Sequence, residues 1–137
     1  MEEFEYNLDE EMRNRIIWGE AEDIPDGEYK EFTPLQEVDY HKLKRLIDLN
    51  FANPEERHNA APSNKEILKF LKKYPDFVAT GYAISVDRAD YRVSVTGVYK
   101  PEATVGRTEL MDFIKLFGDA DDITISASQD ETSCWFD

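Results

Sequence analysis

Three carboxylates in four positions, Asp119, Asp121 and Asp122, follow the pair Phe117-Gly118. Oxygen ligands spaced this closely suit a hard cation, and the same carboxylates can also act as a negative prong that pairs with arginines. The run lacks the glycine and the distal glutamate of a calcium-binding loop, so no metal ion is expected there. It also stands where a helix is expected to end. A helix C-terminus is already negative and favours cations by a few tenths of a kcal/mol or roughly 1 kcal/mol, so three carboxylates there break a local rule without visible compensation. Such a break is a place to expect function. A second acidic set, Glu20, Glu22, Asp23 and Asp26, surrounds the turn Pro25-Asp26-Gly27, in which proline presets φ and glycine accepts a positive one. Both sets are expected to meet a partner.

Other reactive groups are sparse. His41 falls on an expected helix and His58 in a connector, and neither belongs to an HExxH spacing. Cys134 is the one cysteine, so the chain forms no internal disulfide and no cysteine-rich zinc site, and it fits a reducing cytoplasm. The six glycines, at 19, 27, 81, 97, 106 and 118, never reach the spacing of a phosphate-cradling loop. No nucleophile, base and orienting group converge in the sequence, so no catalytic residue and no cofactor is expected. The rival reading is a metal-dependent hydrolase that uses Asp87, Asp90, Asp119, Asp121 or Asp122, with His58 as a further ligand.

The elements that must position these residues follow from periodicity and capping. Asn7 with Glu10 has the form of a helix start, and Leu8, Met12 and Ile16 recur at fourfold spacing, which predicts a short amphipathic helix from about Leu8 to Trp18. Thr33-Pro34-Leu35-Gln36 reads as a second start, with Asp39 as a place to restart. Leu35, Val38, Leu43, Leu46, Ile47 and Asn50 trace the helix that follows, and residues 51 to 62 connect. Ser63 with Glu66 makes a capping box, and Ile67, Leu68, Phe70, Leu71 and Tyr74 give the apolar face of a helix that ends before Pro75.

From Val78 the period becomes two. Val78, Thr80, Tyr82, Ile84 and Val86, then Tyr91, Val93, Val95 and Tyr99, alternate on either side of Asp87-Arg88-Ala89-Asp90, which predicts an antiparallel hairpin. Its other face is expected to carry Arg92, Ser94, Thr96 and Lys100. Thr108 caps a helix with Leu110, Phe113, Ile114 and Phe117 on one face, and Gly118 is placed for a left-handed stop. Ile123, Ile125 and Ala127 alternate, and Cys134 to Phe136 returns as a short last strand. The expected fold is α+β: a mainly antiparallel sheet of about four strands in two hairpins, with helices packed chiefly on one face and a short helix before them. The expected division is an acidic arm at residues 1 to 32 and a compact domain at 33 to 137.

Charge bounds the partners. The chain has 137 residues and a formal charge of −14. Residues 1 to 39 hold fourteen Asp/Glu and three Lys/Arg, a net of −11; residues 40 to 75 hold four and eight, a net of +4; residues 76 to 137 hold twelve and five, a net of −7. This field repels phosphates and anionic lipid and attracts cationic proteins. The belt of Lys42, Lys44, Arg45, Lys65, Lys69, Lys72 and Lys73 is the one basic stretch, read as the wet faces of two helices, so neither direct nucleic-acid binding nor membrane binding is expected. The acidic start is unlike a secretory leader, no apolar run is long enough to span a membrane, and a cytoplasmic location is expected.

In gross composition, and through no alignable motif, the chain resembles the immunity proteins and antitoxins that neutralise cationic nuclease toxins. It is similar in the same way to DNA-mimicking inhibitors of restriction or CRISPR nucleases. The expected function is therefore non-enzymatic neutralisation or regulation of a basic protein, such as a nuclease or toxin. Oligomeric state is not legible in the sequence.

Overall fold

The computed structural model describes residues 4–19, 32–35, 37–103 and 106–137. In chain order the elements are α1 (Glu10–Trp18), β1 (Phe32–Pro34), α2 (Tyr40–Asp48), α3 (Asn64–Lys73), β2 (Val78–Ile84), β3 (Val93–Lys100), α4 (Arg107–Phe117), β4 (Asp122–Ser126) and β5 (Glu131–Trp135). The strands form one antiparallel sheet in the order β1-β2-β3-β5-β4. It has five strands where four were expected.

The extra strand is β1, and it replaces an expected helix start. Thr33-Pro34 does not cap a helix; Phe32, Thr33 and Pro34 pair with Ile84, Ala83 and Tyr82 at the edge of β2. Proline is tolerated at an edge because its missing N–H removes a bond that faces outward. The helix begins at Tyr40 instead, where the Asp39 side chain accepts from the Lys42 amide at 2.9 Å. Farther on, the Ser63–Glu66 capping box forms in full and α3 runs to Lys73, ahead of Pro75.

The α1 stripe is rotated from its expected position. Asp9, not Asn7, caps α1, and Leu8 and Met12 are exposed while Arg13, Ile16, Ile17 and Trp18 are buried. Asn7 serves a different purpose. Its amide and side chain donate to the Asn50 and Leu49 carbonyls, tying the chain before α1 to the end of α2. Ile16, Ile17 and Trp18 belong to the same core as Leu43, Phe70 and Val98, so the expected boundary near residue 33 runs between residues that share one core.

The hairpin β2–β3 carries a bulge that sequence periodicity does not show. Thr80 pairs with Gly97 but Gly81 pairs with Val95, so Thr96 is the additional residue on β3. A bulge shifts side-chain parity by one. Val93, Val95 and Val98 consequently all face the core, and Lys100 comes with them to the helix-covered face, the opposite of the alternation expected. Gly81 has φ +149, and a Cβ there would lie 2.0 Å from the Ser94 carbonyl oxygen, which explains glycine at this position.

Beneath the helices, Phe70 of α3, Phe77, and Phe113 and Phe117 of α4 form an aromatic centre with ring separations of 5.0 to 6.4 Å. Two further expectations about α4 are corrected. Gly106 rather than Thr108 stands at its start, without a side-chain cap, and Gly118 is right-handed at φ −62. Ile114 is exposed, so the buried stripe narrows to Phe113 and Phe117.

Candidate functional site

The carboxylates of Asp119, Asp121 and Asp122 stand at the junction of α4 and β4. The junction is short because the Ala120 amide turns back to donate to the Phe117 carbonyl at 3.0 Å, while Ile123 packs against the core. The buried anchors Phe117 and Cys134, the latter opposite Ile123, fix the loop at both ends. All three side chains are exposed. Asp121 accepts from the Asp137 amide at 2.7 Å, which brings a fourth carboxylate beside the loop. Asn59 in turn donates to the Asp137 carbonyl and ties this corner to the connector. Asp122 lies opposite Trp135, and Trp135 lies opposite Gly97, so a half-exposed indole stands next to the carboxylates on the face of the sheet away from the helices.

Several acidic side chains elsewhere have a cationic partner within the fold. Glu10 and Glu11 pair with Arg13 and Arg15, Asp48 with Lys44, Glu55 with Lys65, and Glu56 and Asp90 with Arg92. Among the described residues, Asp119, Asp121, Asp122 and Asp137 have no Lys or Arg within ion-pair distance. Their charge is directed at solvent. Glu20, Glu22, Asp23 and Asp26, the other expected contacts, lie outside the described residues.

His41 is exposed on α2, whereas His58, Asp90 and Cys134 are used internally. His58 Nδ1 is 3.2 Å from Ser94 Oγ, and the imidazole meets the Tyr82 ring edge-on; Ser94 is 1% exposed, so this Ser–His pair fastens the connector to β3 and is closed to a substrate. Asp90 is gripped by Arg88 at 2.7 and 3.0 Å, and that guanidinium holds its carboxyl down at about 2. Burial pushes the Cys134 thiol up to about 12 and keeps it protonated. Among the described residues, no three His, Cys, Asp or Glu side chains converge as a metal site. Among them, too, no helix is long and apolar enough to cross a membrane.

No family model, curated protein or solved structure matches this chain. Its own geometry must therefore carry the functional reading.

Two features were not legible in the sequence. An open groove of about 450 Å³ runs between α3 and α4, lined by Lys69, Phe70, Lys73, Tyr74, Asp112 and Lys115 among others. Asp112 sits within it, 2.8 Å from Lys73 Nζ and 2.6 Å from the Tyr74 hydroxyl; the lysine, then the hydroxyl, pull its carboxyl below the ordinary range. The basic belt is partly neutralised: Lys44, Lys65 and Lys73 hold carboxylates, Lys42 donates to the Ile17 carbonyl, and Arg57 of the connector pairs with Glu66. The second feature is the Lys100–Glu109 pair, 2.8 Å apart with Lys100 8% exposed, which the bulge carries into the core beside Phe77. A one-residue bulge marked only by Gly81 is too weak a signal to read in advance.

Proposed function

We propose that the chain is a non-enzymatic binding protein that neutralises or regulates a basic protein, with immunity or antitoxin activity as its most concrete form. The observation that supports this reading is the group of Asp119, Asp121, Asp122 and Asp137, exposed and without an internal cation among the described residues, on a junction anchored at both ends. Carboxylates held in place meet arginines with little ordering cost, and charge-assisted hydrogen bonds between the two are stronger than neutral ones. Long-range attraction by a −14 chain speeds encounter with a cationic partner. Immobilised chain, wild type and Asp119→Asn/Asp121→Asn/Asp122→Asn, is exposed to lysate of the source cell, and retained proteins are identified. A basic protein held by the wild type and lost from the variant supports the reading. Esterase, phosphatase or nuclease turnover that vanishes on changing Asp121 or His58 contradicts it and favours the hydrolase.

A further inference from the structure

The sheet has two edges, and they are unlike. On one side β1 is three residues long and ends in Pro34, which has no N–H to offer a further strand. On the other side β4 is five residues long, and β5 is its only strand neighbour among the described residues.

The hydrogen-bond phase of β4 follows from its neighbours. The Phe136 amide donates to the Thr96 carbonyl at 2.7 Å, and the same register pairs Cys134 with Val98. In an antiparallel ladder, hydrogen-bonded and non-bonded pairs alternate, and each residue directs both backbone groups to the same side. The even residues 132, 134 and 136 therefore bond to β3, and Glu131, Ser133 and Trp135 bond to β4. Their partners are Ser126, Thr124 and Asp122. Ile123 and Ile125 are left with their N–H and C=O groups directed outward.

The side chains along this edge are patterned. Ile123 and Ile125 lie on the helix side of the sheet, in register with Cys134 and Thr132, and Ile125 is 39% exposed. Asp122, Thr124 and Ser126 lie on the opposite face, where Trp135 is 49% exposed. An unprotected edge invites another strand, and natural edges are commonly blunted with lysine. This one carries no lysine, and its charges are acidic.

We propose that β4 is a docking edge that takes an extended segment of the basic partner as a sixth strand, one that alternates apolar residues with Arg or Lys. The inference rests on the reading of a basic partner given above and specifies how that partner is held. Residues opposite Ile123 and Ile125 share their face and exchange both backbone hydrogen bonds with them, so these are the apolar ones. The intervening cations fall on the face of Asp122 and Trp135, where a guanidinium both pairs with carboxylate and stacks on indole. Charge selects this occupant over a second copy, since two chains of −14 repel.

The test uses the full chain and three blocked hexapeptides: Arg-Val-Arg-Val-Arg-Val, the same peptide N-methylated at each Val, and its Glu-Val counterpart. Affinity is measured at about 0.05 M salt, alongside amide hydrogen exchange at Ile123 and Ile125. The Arg-Val peptide is expected to slow exchange at both amides at least tenfold. N-methylation, which removes the donors that face β4 and keeps the charge, is expected to weaken binding at least tenfold, and the Glu-Val peptide is expected not to bind. Equal binding of the two cationic peptides, or unchanged exchange at Ile123 and Ile125, overturns strand addition and leaves the basic-partner reading standing. Failure of both cationic peptides to bind at millimolar concentration overturns the two together. Protection that rises with the chain's own concentration, without peptide, overturns the proposed occupant in favour of a second copy.

Discussion

Lys100 and Glu109 show how one bulge changes what a residue does. On a regular strand Lys100 would reach solvent; here it is carried to the helix side, beside Phe77, and Glu109 is its 2.8 Å partner. Removing one member of such a pair strands the other charge at roughly 3 kcal/mol or more when both are buried, whereas replacing both with apolar groups is often neutral. Glu109 is 21% exposed, which lowers that figure. Glu109→Gln is expected to cost about 2 kcal/mol in urea unfolding, and the double change Lys100→Met/Glu109→Leu is expected to cost less than the single one. A double variant as unstable as the two singles combined would mean that the pair is not coupled. The site residues divide on similar grounds. Asp119, Asp121 and Asp122 could be singled out because they follow a helix end, but the exposed Trp135 and the role of Asp137 depend on strand register, which no local pattern encodes. His58 and Asp90, named for the rival chemistry, prove to be fastened to Ser94 and Arg88.

At the scale of elements, the capping box of α3 and the period of β2–β3 were legible, whereas the caps expected at Asn7, Thr33 and Thr108 and the left-handed stop at Gly118 were not formed. The Ser63–Glu66 box is a local hydrogen-bond exchange, and α3 follows it as expected; the hairpin β2–β3 and the stripe of α3 follow from period alone. Thr33-Pro34 offers the same chemistry on paper but is taken by the edge of β2, and Asp39 caps instead. Asp39→Ala is therefore expected to destabilise by about 1 kcal/mol, with Thr33→Ala within roughly 0.5 kcal/mol of wild type, in thermal or urea unfolding. The reverse order would place the functional cap at Thr33. The capping box also sets a pH dependence. Hydrogen bonds from the Ser63 amide, then its hydroxyl, lower the Glu66 carboxyl below its ordinary value. A depressed carboxyl stabilises the fold above its unfolded pKa of about 4.3, and this contribution fades as pH falls through the lower folded value. Glu66→Gln should lose stability near pH 7 and show a shallower decline below about pH 4.3 than wild type. Parallel stability curves for the two proteins would mean that this carboxylate is not linked to folding.

For the whole molecule, charge is organised rather than merely abundant. Ion pairs hold Lys44, Lys65 and Lys73 of the basic belt, while the β4 corner keeps its carboxylates directed at solvent, so part of the net charge of −14 stands on an anchored, outward-facing corner. Exchanging Asp119, Asp121 and Asp122 for Asn removes three charges from the negative end of α4, and an amide oxygen at 121 can still accept from Asp137. The fold should be as stable as wild type or slightly more so. Partner affinity should drop by more than about 1.4 kcal/mol, a factor of ten. The most direct measurement is the association rate of the partner with wild type and with this triple variant between about 0.05 and 0.5 M salt, over which the Debye length falls from roughly 14 to 4 Å. Association is predicted to slow steeply with salt for the wild type and much less for the variant, with dissociation little changed by salt in either. An association rate that ignores salt, or a variant that binds as fast and as tightly as wild type, would contradict recognition of a basic partner at this corner.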